Sequence, residues 1–285
     1  MSEFIGIIAG SGQFPRIVAE NARASGHGVA ICGFQGHTDP ALAEAADAFA
    51  MFYLGQFEKV IAFFRAHGVS RLCMAGAISK PRALDLRPDM RAARILLSLR
   101  GKGDDALLRA IMGELEHEGF SVVQASSFSR ELPCPKGVLT RRSPTPEEWA
   151  DIAWGWPVAE ALGRFDIGQS MVVKQGIVVA VECLEGTDAA LRRGGELGGT
   201  GCVALKRFKP GQDDRADLPS VGLSTVRLLL EYGYSCLAVE ADRTLFFDRK
   251  QAVELADAHN LCIVAVTEDD IRTFSTTNEQ RKESL

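Results

Sequence analysis

The feature that most constrains this chain is an alternation, through its first half, of short apolar runs with segments whose apolar residues recur at helical spacing. Phe4–Ala9 is the first run; it breaks at Gly10-Ser11-Gly12, and Pro15 stands where the first turn of a helix through Glu20 and Ala24 begins. Further runs fall at 29–32 and at Arg71–Ala75, and between them Phe57, Val60, Ile61, Phe63 and Phe64 share a helical stripe that Gly68 stops. Asp104 and Asp105 open another stripe through Leu108, Ile111, Met112 and Leu115, and 120–124 supplies one more strand. Short strands that alternate with amphipathic helices predict an open parallel sheet with right-handed crossovers.

The pattern changes after residue 126. Pro133, Pro135, Gly137, Pro144 and Pro146 crowd a stretch with little periodicity, which is where a domain boundary is expected. At 285 residues the chain exceeds one small core. The expected division is therefore a first domain over 1–130, a linker over 131–145, a second domain over 146–275 and a flexible polar tail over 276–285. Within the second domain Pro146-Glu147-Glu148 opens a helix towards Gly163, and 170–174 with 177–182 form a hairpin around Gln175-Gly176. Strands at 235–240 and 244–247 are expected to pair around Ala241-Asp242, followed by a helix at 252–258 and a strand at 261–266, which makes this half mixed α+β.

Bulk composition removes several classes. With 46% hydrophobic and 24% charged residues the chain is ordinary globular protein, and a net charge of −5 lacks the basic excess that nucleic-acid binding needs. Seven cysteines, an odd number with no C-x-x-C pair, read as small core residues of a reduced cytoplasmic protein rather than a disulfide or zinc framework. No apolar run approaches a membrane span, and the start of the chain has no basic region to mark a secretory signal. None of the five histidines falls in a metal-spaced pair, and neither G-x-S-x-G nor a Walker lysine loop is present.

What chemistry remains is carried by loops. Gly10, Ser11, Gly12 and Gln13 place backbone amides at a helix N-terminus, a setting for phosphate, although a plain turn satisfies the same residues. As a dinucleotide fingerprint the loop fails, because Pro15 takes the third glycine position and the second strand ends at Gly33-Phe34 with no carboxylate for a ribose. Gly76, Ser79 and Lys80 follow the third strand at the carboxyl edge where open α/β sheets bind ligands, and Lys102 with Asp104 could meet a phosphate or merely cap a helix. Asp166, Glu185, Asp188, Asp213, Asp214 and Asp217 sit at turns or strand ends. Several of them converging would hold Mg²⁺ against a phosphate, while singly each caps or turns the chain. Lys206, Lys209 and Arg215 interleave with the last acidic cluster, positioned to neutralise a diphosphate or simply to be solvated.

Seven motifs in order resemble one family: Ile-Ala-Gly-Ser-Gly-Gln-Phe-Pro (8–15), Ala-Gly-Ala-Ile-Ser-Lys-Pro (75–81), Lys-Gly-Asp-Asp-Ala-Leu-Leu (102–108), Asp-Ile-Gly-Gln (166–169), Glu-Gly-Thr-Asp-Ala (185–189), Lys-Pro-Gly-Gln-Asp (209–213) and Asp-Leu-Pro-Ser-Val-Gly (217–222). The chain is similar, over nearly its whole length, to the LpxI-type UDP-2,3-diacylglucosamine diphosphatases of lipid A biosynthesis. The resemblance implies an amino-terminal Rossmann-like parallel-sheet domain followed by a mixed α+β carboxyl-terminal domain, in a cytoplasmic homodimer. It implies Mg²⁺-dependent hydrolysis of UDP-2,3-diacylglucosamine to UMP and 2,3-diacylglucosamine 1-phosphate (lipid X), and transient contact with a membrane surface. The essential aspartate of the family's Asp-Leu-Pro-Thr motif maps to Asp217, with Ser220 in place of the threonine, and Asp242 stands where the family commonly has glycine.

On this reading Asp217, Asp188 and Asp213 hold the metal, and Asp217, Asp213, Arg215 and Lys209 are the catalytic group. Substrate contacts fall to Gly10, Ser11, Gly12, Gln13, Gly76, Ser79, Lys80, Lys102, Asp104, Gln169 and Thr187, and an apolar groove receives the acyl chains. A phosphoanhydride needs charge neutralisation and a positioned water more than covalent chemistry, which agrees with the absence of a histidine base. Two other classes fit parts of the sequence: an NAD(P)-dependent oxidoreductase, from the first strand and glycine loop, and a non-catalytic nucleotide-sugar sensor in which the acidic loops are only turns.

Overall fold

The computed structural model describes residues 3–78, 86–98, 104–215 and 218–283. The chain divides into two compact units, Met1–Arg130 with Asp213–Asp217, and Glu131–Gln212 with Leu218–Leu285.

The amino-terminal unit is the parallel sheet that the sequence predicts. Its elements are β1 (Phe4–Ala9), α1 (Phe14–Ala24), β2 (Gly28–Phe34), β3 (Ala48–Phe52), α2 (Phe57–Ala66), β4 (Arg71–Ala75), α3 (Met90–Ser98), α4 (Asp104–His117) and β5 (Ser121–Val122). The strand order is β3-β2-β1-β4-β5, with Ile7 registered against Ile31 on one side and Cys73 on the other. Both faces are covered. Ile8, Cys32, Phe64 and Leu72 pack in one layer and Ile7, Val18, Ile31 and Cys73 in the other. That double burial is why these strands read as unbroken apolar runs. Because the chain winds to β2 and β3 on one side of β1 and then to β4 and β5 on the other, the crossover direction reverses between β1 and β4. Open α/β sheets bind their ligands outside the carboxyl ends of two such strands.

The carboxyl-terminal unit contains β6 (Gly137–Val138), α5 (Pro146–Arg164), β7 (Ser170–Lys174), β8 (Ile177–Val181), α6 (Thr187–Gly198), β9 (Val203–Lys206), β10 (Ser220–Val221), α7 (Leu223–Glu231), β11 (Cys236–Glu240), β12 (Leu245–Phe246), α8 (Arg249–Ala258), β13 (Cys262–Val266) and α9 (Glu268–Glu283). Its main sheet runs β6-β13-β11-β9-β7-β8, parallel through β9, β11 and β13 and antiparallel at both margins. The hairpin β7–β8 turns as expected: Gln175 and Gly176 both have positive φ, 52° and 73°, the pair a two-residue type I′ turn requires. Among the described residues no helix is long and apolar enough to cross a membrane.

Three expectations change. The runs at 235–240 and 244–247 do not pair with each other: β11 lies between β9 and β13, and β12 pairs in parallel with β10, Ser220 against Leu245. Asp242 does turn the chain, at φ 61°, but β11 is already satisfied along both edges and has no free ladder for β12. The stretch 131–145 is not a linker either. Cys134 donates its amide to the Thr244 carbonyl at 2.8 Å, Leu139 to that of Ile263 at 2.9 Å, and β6 adds to the edge of β13, where a short strand beside prolines is tolerated. Finally, the polar tail is helical through Glu283; Thr267 and Asp270 cap its start, with the Thr267 amide and hydroxyl donating to Asp270 Oδ2 at 2.9 and 2.6 Å. Thr-x-x-Asp was the signal for that helix.

Candidate functional site

In the amino-terminal unit two loops predicted to bind substrate are clasped together at the switch point. After β1 the Gly10 amide donates to the Ala75 carbonyl at 2.8 Å, and Ser11 and Ala77 exchange backbone bonds of 2.8 and 3.3 Å. The Ser11 hydroxyl also donates to the Ala77 carbonyl, at 2.9 Å. So close an approach leaves no room for side chains: a Cβ on Gly10 would stand 2.5 Å from the Ala77 oxygen, and one on Gly76, whose φ is 88°, would meet the Ser11 oxygen. Behind the clasp, the buried Thr38 hydroxyl donates to the Ala9 carbonyl at 2.6 Å and accepts from the Phe34 amide at 2.8 Å, fixing where β1 ends. Gly12, exposed and at φ 87°, then turns the chain into α1, whose N-cap Gln13 makes no side-chain cap bond and whose first turn carries no acid.

Asp213 and Arg215 belong to this same unit, and they form an ion pair rather than an open metal site. Arg215 donates from Nε to Asp213 Oδ1 at 2.9 Å, from Nη2 to Oδ2 at 2.7 Å and from its amide to Oδ1 at 3.0 Å, while Nη1 reaches Glu116 on α4 at 2.6 Å. The Arg215 guanidinium holds the Asp213 carboxyl below the usual carboxylate range, and Arg109 adds to the effect. In this structure both Asp213 oxygens are engaged by the bidentate fork of Arg215, which Asp213 thereby orients.

The carboxyl-terminal unit gathers polar residues where β9 and β11 end and β7 begins. On the side of α6, Ser170 lies opposite Lys206, and Thr187 at the start of α6 joins them: its hydroxyl donates to Glu182 Oε1 at 3.0 Å and accepts from Lys206 Nζ at 3.1 Å. Ser170, Glu182 and Lys206 are all buried, and Glu182 Oε2 has no partner. On the opposite side, towards α5, Arg207 is buried among Glu160, Glu240 and Glu268 and donates to the Trp156 carbonyl at 3.1 Å. Gln169 Oε1 is buried without a partner. Burial raises the Glu240 carboxyl above its usual range, with Arg207 opposing. Lys209 donates to Asp166 at 2.6 Å, and Asp166 sits at φ 54° at the turn after α5. Glu182 and Arg207 are the residues here that sequence reasoning passed over. Glu182 ends the expected strand 177–182 and Arg207 follows β9 directly, but which face each would share was not readable locally.

Asp188, exposed in the first turn of α6, falls in the other unit from Asp213. Ser79, Lys80, Lys102 and Asp217 lie outside the described residues, and of Asp104 only its place at the start of α4 is described. Among the described residues no group of three or more His, Cys, Asp or Glu could hold a metal ion.

Against known proteins, the model of the LpxI N-terminal domain matches residues 4–132 and that of the LpxI C-terminal domain residues 135–264. A protein of Caulobacter vibrioides named UDP-2,3-diacylglucosamine pyrophosphatase LpxI is 38% identical over 274 residues, covering 92% of this chain and 97% of its own. Among solved structures, gox2253 is 15% identical over 52% of this chain and 42% of its own, with a TM-score of 0.27. A phosphoribosylglycinamide synthetase from Anaerococcus prevotii is 10% identical over 61% and 31%, with a TM-score of 0.23.

Proposed function

The chain belongs to the LpxI family, and from that premise we propose that it hydrolyses the diphosphate of UDP-2,3-diacylglucosamine, releasing UMP and 2,3-diacylglucosamine 1-phosphate in lipid A synthesis. The observation that carries the reading is the clasp between Ser11 and Ala77. It fixes the glycine loop and the α1 N-terminus at the carboxyl edge of the sheet, where a nucleotide phosphate is accepted by backbone amides. Absence of a carboxylate at the end of β2 argues against a nicotinamide dinucleotide in the same place, since nothing there would take the ribose hydroxyls.

Chemically, water adds to one phosphorus as the anhydride P–O bond breaks, and the water's protons leave to solvent. Little is asked of the protein beyond orientation and charge. Arg215, pre-oriented by Asp213 and Glu116, and Lys209, held by Asp166, are cations assigned to phosphate oxygens. Asp217 is assigned the essential carboxylate. Among the described residues Asp213 is bound to Arg215 and no three acidic, histidine or cysteine residues gather into a metal cage; a Mg²⁺ requirement is part of the proposal and follows from the family resemblance alone. Such an ion supplies neutralising charge to the diphosphate when bound. The cytoplasmic homodimer that the resemblance implies is carried with the same reading.

The test is release of UMP from UDP-2,3-diacylglucosamine in ¹⁸O-labelled water, with and without EDTA, for the wild type and Asp217→Ala. Labelled product from the wild type, lost in the variant and with chelation, is expected. Intact substrate would leave a nucleotide-sugar sensor as the function, and undiminished hydrolysis by Asp217→Ala would remove that residue from the chemistry.

A further inference from the structure

The start of α6 is arranged to receive an anion. Its N-cap is Gly186, at φ 82°, which offers no side-chain cap, so the first amides of this 12-residue helix have no intrahelical acceptor. The space in front of them is open, since a Cβ on Gly186 would meet nothing within 4 Å. Lys206 is buried beside this end and donates from Nζ to the Thr187 hydroxyl at 3.1 Å, and the buried Ser170 brings its hydroxyl to 3.5 Å from the same oxygen. The acids nearest in sequence are engaged elsewhere: Glu185 pairs with Arg193 at 2.5 Å, and Asp188 is exposed to solvent.

One buried group decides which anion suits this end. Glu182, 8% exposed, accepts from the Thr187 hydroxyl through Oε1 at 3.0 Å, which places its carboxylate at the start of α6, and its Oε2 has no donor among the described residues. A buried carboxylate oxygen without a donor is costly to keep, and an extra acceptor weakens an anion site unless the anion itself brings a proton. Sulfate and carboxylate ligands carry none at neutral pH. A phosphate monoester keeps one up to its second ionisation at about pH 6. Lys206 supplies the positive charge that lets such an oxyanion sit against Glu182.

We propose that Glu182, Thr187, Lys206 and the first amides of α6 form a phosphate-monoester site in the carboxyl-terminal unit, with Glu182 as its specificity-determining residue because it accepts the hydrogen of a P–OH group. The ligand's identity rests on the hydrolytic reading: cleavage creates such a monoester, the sugar 1-phosphate, whereas the ionised oxygens of the intact diphosphate carry no proton at neutral pH. The site therefore holds the released sugar phosphate in preference to the uncleaved anhydride.

The test follows the amide resonances of residues 187–190 in the full chain by NMR, at about pH 6, during titration with inorganic phosphate, glucosamine 1-phosphate and sulfate. These amides should respond to phosphate at about tenfold lower concentration than to sulfate, and to glucosamine 1-phosphate at least as readily as to phosphate. In Glu182→Gln the two inorganic anions should bind within about twofold of each other, because a carboxamide donates to either. The wild-type comparison stands whether or not that variant folds well. Equal response of the wild type to sulfate and phosphate would overturn the proposal, as would shifts confined to the amides of residues 10–13. Weaker binding of glucosamine 1-phosphate than of phosphate would overturn the assignment to a monoester and leave free phosphate as the ligand. Release of UMP from UDP-2,3-diacylglucosamine is scored separately: its absence with the α6 response intact removes the hydrolytic reading alone, and its presence without that response removes this site alone.

Discussion

Replacing Gly76 by alanine, with Gly12→Ala as its partner measurement, isolates what the clasp contributes. Both glycines have positive φ, 88° and 87°, so both substitutions incur the left-handed backbone cost of about 1–2 kcal/mol, and that cost cancels in the comparison. They differ in surroundings. A Cβ on Gly12 meets nothing within 4 Å, whereas one on Gly76 meets the Ser11 carbonyl oxygen and cannot be relieved by a side-chain rotation. The loops must part, and the Ser11–Ala77 backbone pair is lost. Two hydrogen bonds at roughly 1 kcal/mol each put Gly76→Ala about 2 kcal/mol below Gly12→Ala. Native-state hydrogen exchange of the β1 amides reads this locally, and the expected difference is a roughly thirtyfold faster exchange in Gly76→Ala. Equal exchange in the two variants would refute the reasoning, because it would mean that the loops separate at no cost and that the clasp does not hold the site.

Three further outcomes follow from ion pairs. Arg142 donates to both oxygens of Glu148, at 2.7 and 2.8 Å, and to the Ser235 carbonyl at 2.5 Å, so Arg142→Met should cost about 3–5 kcal/mol in urea unfolding by stranding a buried carboxylate. Burial pushes the Glu148 carboxyl up but Arg142 pulls it below its usual range, so its contribution is present above the unfolded pKa and is lost as pH falls; the variant's deficit should be larger at pH 7 than at pH 4. Glu240 has the opposite sign, raised by burial, so stability is lost as pH rises through its folded pKa. Glu240→Gln, which keeps an acceptor for the Phe208 amide at 3.0 Å, should therefore raise the thermal midpoint at pH 7 relative to pH 4 compared with wild type. Asp213→Asn removes the charge that orients Arg215 and should raise KM about tenfold with a smaller change in kcat; an unchanged KM would take Arg215 away from the phosphate.

Much of this protein was legible along the chain because the relevant physics is local. Gly12, Gln175 and Gly176 signalled turns through the backbone conformations they accept, and Pro146-Glu147-Glu148 announced α5, which the capping box of Thr145 and Glu148 opens. The loops at Gly10 and Gly76 were singled out by position after strands, and they prove to touch. Helix α3 escaped notice because its apolar residues lie on the solvent side, where periodicity normally marks a core.

The amino-acid order alone determined the two-part α/β character, the Gln175-Gly176 turn and the starts of α1, α4 and α5, since each rests on residues a few positions apart, and the order of its seven motifs carried the family to which the chain belongs. Tertiary structure decided the rest: that β12 pairs with β10 and not β11, that 131–145 enters the sheet, and that Asp213 is locked to Arg215 with Glu116 alongside. These are pairings between segments far apart in sequence. Their partners are selected by which edges and charges remain unsatisfied once the sheets have formed, and no local spacing encodes that competition.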